Sequence, residues 1–274
     1  MSSLQAPSML DHLLPWRLRA LVWQFARKDI VLRYRGSWLG LGWSVVTPLA
    51  MLGIYTLVFK HVFNTRWPAA KAEGTLDFAL NLYAGLIVFN WAAEMLNRAP
   101  RLVLEQPNLV TKVVFPLPLL TWSALLSTGF HALVGMLIWL AACLAYGYGP
   151  TLAWLALPVV ALVMVPWLLA LGWFLSGVGV YLRDVSLLVG LLVSGLMFLT
   201  PIFYPVEALP DWLRPVAFFN PLTAPIEALR ALVLSAHLIV PWEALSISAG
   251  MGTLLCVLSL WIYRRLQTGF ADVL

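Results

Sequence analysis

The sequence predicts an all-α polytopic membrane protein with six transmembrane helices and both termini cytoplasmic. An amphipathic interfacial helix precedes the first span, and a broken outer segment separates the fifth from the sixth. Three observations predict this class. Of 274 residues, 62% are hydrophobic and only 11% are charged, less than half the roughly 25% of an ordinary soluble domain, which leaves too little polar surface to cover a water-soluble globule. Asp, Glu, Lys and Arg are missing from runs long enough to cross a bilayer, including 70 consecutive residues at 113–182. The basic residues are also distributed unequally between the two sides that those runs define. This composition excludes a soluble enzyme, a disordered chain and a nucleic-acid-binding domain, in spite of a net charge of +5.

Residues 15–35 (PWRLRALVWQFARKDIVLRYR) place Leu18, Leu21, Val22 and Phe25 on one helical face, with Arg17, Gln24, Arg27 and Lys28 elsewhere. A basic helix with Trp and Leu on its apolar side lies in the membrane interface. It serves there either as a topology anchor or as a collar that also receives an anionic lipid-linked substrate at Arg33 and Arg35. A helix rises about 1.5 Å per residue, so roughly 20 residues cross a hydrocarbon core of about 30 Å. The uncharged stretch 38–59 meets that length, and the shorter 78–93 reaches it at 97. The long uncharged run holds two spans, 117–145 and 152–181, divided by the turn-forming cluster Tyr146, Gly147, Tyr148, Gly149, Pro150 and Thr151. Spans at 185–204 and 244–263 complete the set. A further apolar stretch, 231–242, covers only 12 residues, a length that suits a re-entrant or interfacial segment. The expected organisation is an interfacial region at 1–36, a transmembrane domain at 37–266 and a cytoplasmic tail at 267–274.

Orientation follows from the 17 Lys and Arg residues. Twelve of them (Arg17, Arg19, Arg27, Lys28, Arg33, Arg35, Arg98, Arg101, Lys112, Arg183, Arg264 and Arg265) share the side of the termini. Only Lys60, Arg66, Lys71, Arg214 and Arg230 fall on the other. The positive-inside bias puts both termini in the cytoplasm, and no cleavable signal peptide is expected, because the first long apolar run starts late. Connection 98–118 is the longest cytoplasmic loop between spans. Within it, Pro107 and Pro116 bound 108–116 as a short helix, since proline suits a first turn and stops continuation. So short a helix is not stable alone; it gains order by docking into a groove on another protein or by lying on the headgroups. Prolines break 205–230 into short pieces, and Glu227 and Arg230 stand three apart on one helical face, as a structural pair or as a substrate contact.

Chemistry-bearing motifs are scarce. No glycine is followed by lysine, so no P-loop exists to cradle a nucleotide. HExxH, CxxC and GxSxG are absent, and neither a catalytic nor a metal site is expected. Cys143 and Cys256 lie singly in apolar runs. His131, near the middle of the third span, is either a contact between helices or a proton relay. Glu94 and Arg98, one helical turn apart, are expected to neutralise each other in part. A transporter driven by protons or sodium holds ionisable groups near mid-membrane. Those are nearly missing, so energy enters from outside the chain or transport is passive. An intramembrane enzyme acting on lipid-linked sugars would need a cluster of acids, histidines or a metal at one face; Asp29, Glu105 and Asp184 have no histidine beside them.

Five segments, in order, resemble the membrane subunit of the ABC-2 family of ABC transporters, specifically polysaccharide exporters of the O-antigen and teichoic-acid type. They are 27–48 (RKDIVLRYRGSWLGLGWSVVTP), 108–116 (NLVTKVVFP), 181–185 (YLRDV), 200–205 (TPIFYP), and 220–223 (NPLT) followed by Arg230. The resemblance implies a homodimer in the inner membrane with two copies of a separate ABC ATPase, which binds ATP and magnesium; this chain itself holds no cofactor. It implies that Asn108, Leu109, Val110, Thr111 and Lys112 form the coupling helix seated in that ATPase. The implied cargo is a glycan on polyprenyl pyrophosphate, with capsular polysaccharide, teichoic acid and small drugs or lipids as alternatives. Guanidinium groups bind phosphate oxygens in pairs, so Arg33 and Arg35 are candidates to hold the pyrophosphate head. A sugar chain presents hydroxyl edges and apolar C–H faces, which an aromatic lining with few charges grips weakly. Trp43, Tyr55, Trp91, Trp122 and Trp173 are the candidate channel aromatics.

Overall fold

The computed structural model describes residues 9–58, 75–234 and 240–274. Among these the chain is helical and contains no strand. Two short leading helices, α1 (Met9–Leu13) and α2 (Arg19–Tyr34), are followed by α3 (Trp43–Thr56), α4 (Thr75–Arg98), α5 (Pro107–Thr111) and α6 (Leu119–Ala145). The second half contains α7 (Leu157–Tyr181), α8 (Val185–Leu199), α9 (Arg214–Phe219), α10 (Thr223–Val233), α11 (Trp242–Gln267) and α12 (Phe270–Val273).

The turn cluster predicted at 146–151 separates α6 from a 3-10 turn at Leu152–Ala156 that leads into α7. Gly147 supplies a φ of 91° there, a left-handed conformation that costs glycine little. Two predicted spans come out shorter than expected. The first begins at Trp43, not 38, because Gly36 and Gly40 take φ values of 82° and 51° and break the helix behind α2; its predicted end at Phe59 lies outside the described residues. The fifth stops at Leu199, not 204, where Thr200 turns extended and Pro201 cannot continue the helix. The fifth, with 15 residues, is roughly 22 Å long, short of the hydrocarbon thickness, whereas the first is still helical at 58, the last described residue there. Among the described residues, four helical segments are long and apolar enough to cross: Asp77–Arg101, Leu119–Ala145, Leu152–Tyr181 and Trp242–Gln267. Lys60, Arg66 and Lys71, three of the five basic residues expected on the outer side, and 235–239 in the short apolar stretch also lie outside the described residues.

α4 is the axis of the bundle. It packs against α3, α6, α7, α8 and α10, and 78% of its apolar window is buried, against 22% for α6 and α11. It is also the least apolar of the four. A helix that carries Asp77, Asn81 and Glu94 keeps those groups toward protein rather than lipid, and the more uniformly apolar helices take the periphery. α7 and α11 form the tightest pair, with Trp167 on α7 donating its indole N–H to the Ser248 carbonyl at 2.9 Å. A Cβ on Gly252 would stand 2.6 Å from that indole, so the small residue sets the helix separation.

Over its described residues up to 234, the segment after α8 is broken, as predicted, yet firmly fixed. Arg230, 1% exposed, donates to the carbonyls of Asn81 (3.1 Å), Pro201 (2.8 Å) and Ile202 (3.0 Å) and to Glu227 (2.8 Å). The pair expected from spacing is therefore real, and its role is structural: it ties α10 to α4 and to the turn after α8. The expected tail also folds back. Phe270 in α12 is fully buried against Tyr181 and Tyr263, with ring centroids 5.9 and 5.6 Å away.

Candidate functional site

α2 does more than rest at an interface. Its inner stripe, Val22, Ala26, Asp29 and Arg33, follows helical spacing; Val22 and Ala26 are buried, and the helix packs along α6. The last two members meet charges on α4. Arg98 donates to Asp29 at 2.7 Å and to Ser127 on α6 at 3.3 Å, and Arg33 donates to Glu94. Asp29 and Arg33 are one turn apart on α2, and Glu94 and Arg98 are one turn apart on α4. The two helices are thus bridged twice, each time by an acid and a base. This corrects the expected partnership of Glu94 with Arg98 within one helix: each pairs with a charge on α2 instead, closer than its own neighbour.

His131 on α6 completes the cluster. Its Nδ1 lies 3.0 and 3.1 Å from the two Glu94 carboxylate oxygens and 3.2 Å from the Arg33 guanidinium. Tyr34 and Phe130 stand edge-on to the imidazole at centroid distances of 5.8 and 5.7 Å. Partial burial, more than any neighbouring charge, pushes the Tyr34 phenol above its ordinary pKa. His131 is a contact joining three helices.

A cleft of about 320 Å³ opens beside this cluster. Arg33, Tyr34 and Ser37 from the end of α2, Trp43 to Pro48 on α3, Tyr83 to Glu94 on α4 and His131 to Gly135 on α6 contribute to its walls. Two of the five aromatic candidates, Trp43 and Trp91, are brought together here. Trp122 instead donates its indole N–H to the His12 carbonyl at 2.9 Å. Trp173 is fully buried and donates to the Pro118 carbonyl at 3.0 Å, so it serves packing in this conformation. The side chain of Tyr55 lies outside the described residues. Arg35 is exposed beyond the end of α2, whereas Arg33 is engaged by Glu94.

Residues 108–112 belong to α5 and its C-terminal cap, and Phe115 just beyond them packs on Phe25 of α2 with ring centroids 5.2 Å apart. α5 begins with Pro107 at its first position, as the sequence predicts, and ends at Thr111 with Lys112 as its cap. Leu109 and Val110 pack against the core while Asn108, Thr111 and Lys112 are exposed. Val113 and Val114 beyond them are exposed at 56% and 105%. The result is a short helix anchored on one side and presenting polar and apolar groups on the other.

A family model described as ABC-2 type transporter matches residues 20–234. The chain belongs to the ABC-2 type transporter family. This ABC-2 protein is 27% identical over 248 residues to an O-antigen export system permease, RfbA, of Klebsiella pneumoniae, covering 90% of this chain and 92% of that protein. It is 27% identical over 196 residues, 72% of each chain, to the RfbA permease of Myxococcus xanthus. It is 23% identical over 212 residues to the polysialic acid transport protein KpsM of Escherichia coli, covering 77% of this chain and 80% of that one. The family resemblance carried by the five sequence segments is therefore correct. Sequence reasoning did not find Asp29 or Asn81 as partners; their only signal was polarity on apolar helical faces.

Proposed function

We propose that this chain is the membrane subunit of an ATP-driven exporter that moves a polyprenyl-pyrophosphate-linked polysaccharide across the cytoplasmic membrane. The observation that carries the reading is the near full-length similarity to O-antigen export permeases, on a chain that contains no nucleotide-binding loop of its own. In this reading six segments cross the membrane, the four long helices and the shorter α3 and α8, with both termini cytoplasmic. The chain works as a dimer of itself with two copies of an ABC ATPase, which binds ATP and magnesium. Residues 108–112 seat in that ATPase. A helix of five residues is ordered here by two apolar side chains packed beneath it, so a push on its outer face passes into the connection between α4 and α6. Arg35, exposed at the end of α2, is the guanidinium available to a phosphate; Arg33 holds α2 on α4. Trp43 and Trp91 offer aromatic faces to sugar rings.

Capsular polysaccharide is a second reading of the cargo, favoured by the similarity to KpsM. Deletion of the gene tests the proposal. Loss of surface polysaccharide, with lipid-linked glycan building up inside the cell, is the expected result; an unchanged surface glycan refutes export of glycan.

A further inference from the structure

A second cavity, of about 460 Å³, lies at the C-terminal end of α11 and is lined by Trp261, Arg264, Arg265 and Thr268 and by Met9 from α1. It shares no residue with the cleft beside Glu94. Arg33, Arg98, Arg214 and Arg230 each meet a carboxylate, whereas neither Arg264 nor Arg265 pairs with an acid among the described residues. The Arg265 guanidinium lies over the Trp261 ring, 4.3 Å from its centroid. That cation–π contact orders the side chain and leaves its N–H groups unspent. The Thr268 hydroxyl donates to the Arg265 carbonyl at 2.8 Å, so the donors left to the cavity are the two guanidiniums. Their charges outweigh the roughly half negative charge at the end of a helix, and the cavity calls for an anion. We infer that it binds the headgroup of an anionic phospholipid, a glycerophosphate lipid of the surrounding membrane and not the cargo. The inference rests on the reading of α11 as a span that ends in the cytoplasm.

The surface that leads into the cavity selects a lipid over a free phosphate. Leu254, Val257, Leu258 and Trp261 are all exposed and recur with Arg265 at helical spacing along one face of α11. Gly252 and Tyr263, which meet α7, lie off that face. From Leu254 to Arg265 the helix rises about 16 Å, the depth of one leaflet of a hydrocarbon core about 30 Å thick. An acyl chain laid on this stripe brings its phosphate to the two guanidiniums, which bind phosphate oxygens in pairs. Trp261 stands between the apolar stripe and the charges, where an indole suits the headgroup level. Basic pockets at the cytoplasmic ends of spans draw anionic lipid from the leaflet that holds it. A soluble anion would use the arginines and leave the stripe idle.

Native mass spectrometry of the full chain, delipidated in a neutral detergent, reads lipid binding directly. Dioleoyl phosphatidylglycerol is expected to bind on the order of tenfold tighter than dioleoyl phosphatidylcholine, which has the same chains and no net charge. Arg264→Gln combined with Arg265→Gln should weaken phosphatidylglycerol on the order of 10- to 30-fold and leave phosphatidylcholine unchanged. Arg101→Gln combined with Arg183→Gln removes equal charge from the same side and should keep the preference. Dihexanoyl phosphatidylglycerol, the same head on short chains, should bind more weakly than the dioleoyl lipid, and millimolar inorganic phosphate should displace neither. The inference is overturned if the two dioleoyl lipids bind alike, if the Arg264 and Arg265 variant binds as the parent does, or if the control variant loses as much. Displacement by inorganic phosphate, or equal binding of the short-chain lipid, leaves an anion site only and also overturns it. Polyprenyl pyrophosphate should compete no better than added phosphatidylglycerol; a lower displacing concentration gives the site to the cargo and overturns the assignment. Leu258→Asn should weaken the lipid; if it splits a dimer of the chain with lipid affinity unchanged, the stripe belongs to a second copy and the inference fails. Orientation is read separately. Ala271→Cys should react with a membrane-impermeant maleimide in inside-out vesicles and not in right-side-out ones. Reaction from the outer side sinks the topology reading, whereas the expected labelling with no lipid preference sinks this inference alone.

Discussion

Replacing Arg230 by alanine removes the side chain that fixes three parts of the chain to one another. The guanidinium makes three hydrogen bonds to main-chain carbonyls and one to Glu227, and it is 1% exposed. A buried acceptor left without a partner costs about 1–3 kcal/mol. Water entering the space left behind relieves part of that cost, and the Glu227 side chain, 25% exposed, regains hydration and adds little. The Asn81 carbonyl also accepts within α4, so the two stranded carbonyls of Pro201 and Ile202 amount to roughly 2–4 kcal/mol. In a chain of this size each kcal/mol moves the unfolding temperature by about 2–4 °C, so the expected fall is roughly 5–15 °C. Cys143 and Cys256 are free and buried, so a thiol-reactive dye that becomes fluorescent on unfolding reads the transition directly. Scans at one fixed rate make the comparison valid even where unfolding is irreversible. Arg230→Lys keeps a charge beside Glu227 but cannot span the three carbonyls with one ammonium, and should unfold between the parent and Arg230→Ala. An alanine variant within about 2 °C of the parent would refute the clamp, since it corresponds to no more than about 1 kcal/mol.

Three further outcomes are expected. Leu109→Asp combined with Lys112→Asp should leave the chain inserted but abolish assembly with the ATPase or its stimulation; normal coupling in that variant contradicts the role given to 108–112. A double-mutant cycle on Asp29 and Arg98, both about 30% exposed, should give a coupling energy of about 0.5–1 kcal/mol in thermal unfolding, and strictly additive effects would show that the two helices are not keyed there. Gly179→Ala puts a Cβ 2.3 Å from the Pro100 carbonyl oxygen, a backbone atom that cannot move aside, and should cost about 1–3 kcal/mol. Gly177→Ala meets only side chains at 3.2 Å and should cost less; equal unfolding temperatures would contradict the close approach of α7 to the turn after α4.

Much of the helical layout can be read in the sequence, because it depends on local chemistry. Charge-free runs mark α6 and α7, and the glycines between them make the turn. Pro107 starts α5 where proline is suited to a first helical position, and the three-residue spacing of Glu227 and Arg230 matches their contact. The shortened first and fifth segments show the limit of that reading: 38–42 and 200–204 are apolar enough to continue a span, yet Gly36, Gly40 and Pro201 break the backbone first. The site needed information that no single helix contains. Glu94 sees Arg98 one turn away in the sequence, and only the placement of α2 on α6 reveals that each has a nearer partner. The carbonyls that hold Arg230 lie 149 and 28 or 29 residues away and belong to the main chain, so no residue type announces them. Trp43 and Trp173 likewise look alike on apolar helices, and packing alone separates the ring in the cleft from the ring in the core.

A passive conduit powered by a second polypeptide is tested most directly in reconstituted vesicles holding this chain with or without its ATPase. Lipid-linked glycan should cross only when both proteins and ATP are present, and stop when ATP is withheld. Glycan moved against its gradient by this chain alone would contradict the assignment.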